Sequence, residues 1–569
     1  MSGVTTEIDP IRLEVIWNRL ISIVDEQAAA LVNASFTTVV REAGDLSGGL
    51  FDTRGRMLAQ AATGTPGHIN SMATAAKHFL KQYPLETYKP GDHVCTNDAW
   101  MVSGHVNDIT IFSPVFFKGA PVAFFACTCH TCDFGGRPLG AEARDVYEEG
   151  LAIPIMKYID AGEPNHVLET MIRANVRMPD EVIGDIYAQI SANEVGGSKL
   201  VQFMEEAGLD SIDPIGEIIL ERSETAMRNA IREIPDGVYA GEAEADGFDD
   251  PIRLTLALTV KDGGVHCDFE GTSPQSVWGI NVVENYTYAY CAYTVKCAVG
   301  AAIPNNEGSF QPVTMSVPEG CILNPRHPAP VGARHILGHF VAAAVFDALA
   351  RAIPDKVLAE GSTGLWLTQL AGIDRKGKTF SYIFFSSGGM GARPTSDGLS
   401  ATAFPSGVQG TPVEIMENVL PLLFTRKELR RDSGGPGGFR GGLGQTIGLR
   451  PRTETPIHHS PMYDRFHHQA KGAAGGMNGE VGSLILSTGE RLHSKKKYAL
   501  PPDQEATLNL PGGGGFNPPT ERDPERVRRD VLDDYVTKES AERDYGVVLN
   551  DDLTVNLKAT ERKRGQGDD

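Results

Sequence analysis

Two imidazoles and a carboxylate lie where a single hairpin could gather them. The stretch SGHVNDIT carries His105 and Asp108, three residues apart, at the start of an apolar, β-branched run. A second such run ends in CTCHTCDFGG and holds His130. Lys118-Gly119-Ala120 separates the runs, so they read as two antiparallel strands. A three-residue connection puts Asp108 opposite His130. A two-residue turn shifts the pairing by one and puts Asp108 opposite Cys129. Pro114 could bulge the first strand and change the register again. Two histidines and an aspartate at one hairpin end suit a borderline divalent ion such as zinc or manganese. Spacing leaves the point open, because each of the three could equally be a surface or hydrogen-bonded residue.

Competing chemistry is weaker. Cys127, Cys129 and Cys132 form C-x-C-x-x-C, but a thiolate zinc site needs a further ligand pair. Cys95, Cys267, Cys291, Cys297 and Cys321 are scattered singly. On a strand, Cys127 and Cys129 share a face and His130 points to the other, so the cysteines read as small buried hydrophobes. GIDRKGKT, residues 372–379, fits the phosphate-cradling pattern G-x-x-x-x-G-K-[ST]. That loop must open a helix. Here TFSYIFFSSGG follows, rich in aromatic residues, so a β-hairpin with Lys378 in its turn is expected and no nucleotide site. The pairs His458-His459 and His467-His468 would point apart on strands. DSGGPGGFRGGLG lacks the lysine of a P-loop; anion-binding nests or a tight structural loop remain for it. Neither G-x-S-x-G nor H-E-x-x-H occurs.

These residues need a scaffold. A chain of 569 residues is too long for one core. Its composition, 41% hydrophobic and 22% charged, is that of a soluble globular protein. A net charge of −21 argues against nucleic acid or an anionic membrane as partner. MSGVTTEIDP shows no signal-peptide pattern. The apolar run ILGHFVAAAVFDALARAIP contains His339, Asp347 and Arg351, so it reads as a buried helix. Reduced thiols and a cytoplasmic location follow. The fold expected is α+β and multi-domain, with mixed helices and largely antiparallel sheets.

Residues 1–235 form an N-terminal α+β part bearing the hairpin site, 236–500 a central β-rich α+β part, and 501–569 a helical extension and tail. Asp9-Pro10 caps a helix over 11–36. A hairpin turns at 53–56, a helix covers 70–83, helices fill about 152–234, and alternating strands run to about Cys321. A buried helix at 336–353 and a hairpin at 364–386 follow. Two short helices close the chain, and ATERKRGQGDD frays.

The chain resembles the hydantoinase B family, which includes the B subunits of ATP-dependent hydantoinases and lactamases, the C-terminal half of oxoprolinase and, distantly, acetone carboxylase. The stretches that carry the resemblance include REAGDLSGGLFDTRGRMLAQ, GDHVCTNDAWMVSGHVNDITIFSPVF, HTCDFGG, ANVRMPDEVIGDIYAQISAN and LPGGGGFNPPTERDPERV, in order over nearly the whole length. The resemblance implies a two-part enzyme. A partner of the hydantoinase A type, with an actin-like ATPase fold, binds ATP-Mg and phosphorylates the substrate, in a heterotetramer of two partner chains and two of this one. The present chain carries a divalent metal, zinc before manganese, on Asp45, His105, Asp108 and His130. Leu46 and Gly48 replace the more usual Phe and Cys beside Asp45. Asp133 and His68 stand as supporting or proton-handling groups. The implied reaction is hydrolysis of a hydantoin, 5-oxoproline or another lactam. An ATP-dependent ketone carboxylase, whose counterpart chain is expected to be longer, and a non-catalytic structural subunit are the alternatives.

Overall fold

The computed structural model describes residues 9–565. The first eight residues of the stretch read for a signal, and the last four residues of the tail, lie outside them. Among the described residues no helix is long and apolar enough to cross a membrane.

The N-terminal part is built on one seven-stranded sheet, ordered β2-β1-β5-β4-β3-β6-β7. Its strands are β1 (Leu46–Phe51), β2 (Met57–Gln60), β3 (His93–Thr96), β4 (Asp108–Phe117), β5 (Ala120–His130), β6 (Met156–Asp160) and β7 (Glu163–Pro164). Every neighbouring pair is antiparallel. The Pro10–Ala34 helix starts on Asp9, whose carboxylate accepts the Ile11 amide at 3.3 Å. It buries Leu13, Ile16, Leu20, Val24 and Leu31, the helical stripe expected of it. With the Pro179–Ala207 helix it shares the core that holds Cys127 and Cys129. The opposite face of the sheet packs Phe112, Phe124 and Ala126 against Met72 and Phe79 of the Pro66–Gln82 helix.

A second sheet runs through Val313–Ser316, Gly264–Asp268, Ile252–Lys261 and Gly237–Ala245, with its first two strands parallel. The His335–Ala350 helix packs on it within the same large core. Two further four-stranded sheets close over Trp366, Leu370, Phe384, Ile447, Leu484 and Leu508. Packing spans both expected segment boundaries. The core around Phe112 continues past residue 235, and the strand Ala506–Asn509 pairs with Gln445–Pro451 and Ser483–Leu486.

Three local expectations are corrected. Residues 152–165 contain β6 and β7 before the helices begin at His166. ENYTYAYCAYTVKCAV, within the region read as strands, is the Glu284–Val299 helix. Its tyrosines and valines favour strands, but burial of Tyr286, Ala289, Tyr290, Cys291 and Val295 in the large core overrides propensity. The tail is helical over Leu557–Arg564, where Arg564 donates to the carbonyls of Tyr545 and Arg522. The hairpin Trp366–Ile373 and Thr379–Ser386 turns at Asp374–Lys378, as the sequence led one to expect. Lys378 is exposed there, and its amide donates to Asp374 Oδ1 at 2.9 Å.

The glycine-rich stretches lock together without side chains between them. Gly389 N donates to Pro511 O, Gly442 N to Met390 O, Gly513 N to Gly442 O and Gly435 N to Gly513 O, at 2.7–3.0 Å. A Cβ on Gly512 would lie 1.7 Å from Ser433 O, and one on Gly389 1.8 Å from Gly442 O. Backbone approach, and not a left-handed conformation, excludes any side chain there.

Candidate metal centre

Strand register brings the polar residues together. The turn between β4 and β5 has two residues, Lys118 and Gly119, both at positive φ. By itself that would pair Asp108 with Cys129. The pairing shifts between Val115 and Phe116, where Val122 is the extra residue, and Asp108 then faces His130. The bulge is therefore on the strand opposite Pro114. On the other side of β5, Leu46 pairs with Cys129, which brings Asp45 level with His130. The His130 amide donates to the Asp45 carbonyl at 3.2 Å. Asp45, His130 and Asp108 thus stand abreast at the ends of three adjacent strands, on the face away from the cysteines.

Three other elements close the cluster. His105 comes from the turn before β4. Its Nδ1 lies 3.0 Å from the Gly332 carbonyl, and its Nε2 2.8 Å from Asp108 Oδ1. His68, on the Pro66–Gln82 helix, places Nε2 2.9 Å from Asp108 Oδ2 and 3.6 Å from Asp45 Oδ1. Arg334, just before the His335–Ala350 helix, reaches Asp108 Oδ2 at 2.5 Å, and its guanidinium lies 4.4 Å over the Tyr286 ring. Gly104, at φ +93°, lets it pass; a Cβ there would sit 2.7 Å from Arg334 Cδ. His130 Nδ1 is 2.9 Å from Asp108 Oδ1. The rings of His105 and His130 are 5.0 Å apart.

The electrostatics centre on Asp108, which is fully buried. Burial would raise its carboxyl, but His105, His68 and Arg334 outweigh that and hold it well below the usual range. Burial and the Arg334 charge push His105 down to about 3. Burial lowers His68 too, yet the Asp108 and Asp45 carboxylates prevail and raise it.

One arrangement asks for a cation. The Gly332 carbonyl can only accept, so Nδ1 of neutral His105 carries its proton. Nε2 then turns a lone pair toward the carboxylate of Asp108, and two acceptors in a buried site repel. Among the described residues, Nε2 of His105 and Nε2 of His130 have no hydrogen-bond partner. His105, Asp108 and His130 offer ligand atoms within 4.8 Å of one another. An imidazole fixed through its other nitrogen by a backbone carbonyl is the usual support of a metal-binding histidine. The donor set present therefore fits a divalent ion.

Asp133 does not join the cluster. Its carboxylate takes Arg177 Nη1 at 2.6 Å, the Arg177 amide, and the Gly135 amide at 3.3 Å, so it anchors a loop. His68 stands inside the cluster. Cys127 lies on the far face, with Sγ 3.5 Å from Gln189 O. Sequence reading missed Arg334, Gly332 and His335, whose two ring nitrogens are buried without partners among the described residues. Arg334 lies 226 residues from Asp108, beyond any spacing signal.

Residues 9–519 match the profile of the hydantoinase B/oxoprolinase family. The putative B subunit of a D-/L-hydantoinase from Pseudomonas sp. (strain NS671) is 30% identical, over 99% of this chain and 100% of that protein. The crystal structure of the ATP-dependent caprolactamase from Pseudomonas jessenii superposes with a TM-score of 0.89 at 26% identity, over 98% of this chain and 100% of that one. Nucleotide-free acetone carboxylase shares the fold, with a TM-score of 0.89 at 18% identity, over 98% of this chain and 83% of that one.

Proposed function

The chain belongs to the hydantoinase B/oxoprolinase family, and from that premise we propose that it is the metal-bearing B subunit of an ATP-dependent cyclic amidohydrolase. The substrate class is a hydantoin, 5-oxoproline or another lactam. A separate ATPase of the hydantoinase A type phosphorylates the ring carbonyl oxygen, and this chain completes ring opening. ATP-Mg belongs to the partner, in keeping with the exposed hairpin turn at Lys378. The pair works in the cytoplasm as a heterotetramer, two copies of each. The observation that carries this reading is the unpartnered Nε2 of His105 facing the buried Asp108 carboxylate.

Asp45, His105, Asp108 and His130 would hold the ion, with zinc favoured over manganese by two imidazoles. A divalent ion at such a site supplies a hydroxide at neutral pH and stabilises developing negative charge on oxygen. The chain's own residues do the rest. The Gly332 carbonyl fixes the His105 tautomer through Nδ1. Arg334 and His68 occupy Asp108 Oδ2 and leave Oδ1 to His105 and His130. His68 carries a proton on Nε2 between Asp45 and Asp108, placed to deliver it to a leaving nitrogen. Burial of the cluster keeps bulk water away.

The test is ATP turnover by the reconstituted pair across lactams, hydantoins and ketones, with and without bicarbonate. Turnover that needs both chains and a cyclic amide supports the proposal. Ring opening by this chain alone would contradict it, and bicarbonate-dependent turnover of ketones would favour a carboxylase.

A further inference from the structure

The last turn of the Glu284–Val299 helix holds a buried lysine without a counter-charge. Lys296 is 5% exposed. Its Nζ donates to Asn305 Oδ1 and, at 3.2 Å, to Ser309 Oγ, both neutral groups. The Phe310 ring lies 5.3 Å away. Among the described residues no carboxylate pairs with it, whereas the comparably buried Lys495 holds Asp464 at 2.9 Å. Burial lowers the Lys296 amine to about 7. A buried ammonium is costly unless paired, and here its opposite charge is missing.

Beside it is a cavity of about 250 Å³ bordered by Gln60, Asn70, Tyr293, Lys296, Asn305 and Phe310. The cavity is thus bordered by an amine lacking a counter-charge. Its polar groups lie among proline and aromatic walls, and its size is below that of drug-sized pockets, so its occupant is small. The Pro66–Gln82 helix separates it from the cluster at Asp108: His68 faces the carboxylates, while Ile69 and Asn70 line the cavity.

We propose that this cavity binds a small carboxylic acid, its carboxylate on Lys296 Nζ. The site is distinct from the metal centre, and its occupancy does not depend on the reaction assigned to that centre. A carboxylate at Lys296 restores the missing charge pair and makes the bond charge-assisted.

Saturation-transfer NMR on the full chain tests this, with acetate, glycolate and acetamide as probes. Acetate and glycolate should receive saturation. Acetamide, of the same shape but uncharged, should receive little. Lys296→Met should lower the acetate response at least about tenfold, while Lys296→Arg keeps it. An unchanged response in Lys296→Met, or equal responses to acetate and acetamide, would overturn the proposal. If Lys296→Met does not fold, cyanate labelling of the wild-type chain decides by peptide mass spectrometry. Glycolate should slow carbamoylation of Lys296 where acetamide does not, and equal rates would refute the site.

Discussion

At the strand ends of the N-terminal sheet, His68, His105, His130 and Arg334 converge on one buried carboxylate, that of Asp108. Around Gly389, Gly442 and Gly512, by contrast, backbone meets backbone and any side chain is excluded. Both regions are tightly determined, but by opposite means. The first stores charge that a bound ion would balance, so its strictness is chemical. The second has its amides and carbonyls paired across segments that would otherwise be loops, so its strictness is steric. Function is expected to follow the first and folding the second.

The largest effect should come from Asp108→Ala. It leaves Arg334 and His68 buried without their carboxylate, which typically costs about 3–5 kcal/mol. Denaturant unfolding would show the loss, and metal content should fall with it. Next, Gly512→Ala should cost about 3 kcal/mol or more, since overpacking against backbone cannot relax through a side chain. Whatever fraction folds should bind metal as the wild type does. If Gly512→Ala instead weakened metal binding without lowering stability, the division between the two regions would fail. A smaller change sharpens the account within the sheet. Cys127→Ala on the opposite face of β5 should lower stability by about 1 kcal/mol and leave the metal stoichiometry untouched. Smallest of all, Lys378→Ala should shift stability by under about 0.5 kcal/mol and leave ATP turnover of the complex within about twofold. A loss of nucleotide-dependent turnover would restore a role for that turn.

The same contrast explains what can be read from the sequence. His105, Asp108 and His130 are visible because a hairpin has few registers. Which register holds is not visible, because it depends on a bulge at Val122 that no residue type announces. Asp45 cannot be reached from spacing, since its place beside His130 comes from pairing of β1 with β5 far along the chain; the family resemblance supplies it. Arg334 has no local signal at all. The glycine-rich stretches are visible as punctuation but not as one packed unit, because the contacts join segments far apart in the chain. The Glu284–Val299 helix is hidden by its own tyrosines, whose strand preference is outweighed only by burial on several sides.

The central claim, that the cluster at Asp108 holds one divalent ion, is tested most directly by calorimetric titration of zinc into chelator-stripped protein and its His105→Ala variant. One zinc per chain should bind the wild type. Affinity in His105→Ala should fall by at least about a hundredfold, beyond the roughly 10–100-fold typical of losing a supporting group. Zinc bound by the variant with wild-type stoichiometry and affinity would contradict the claim.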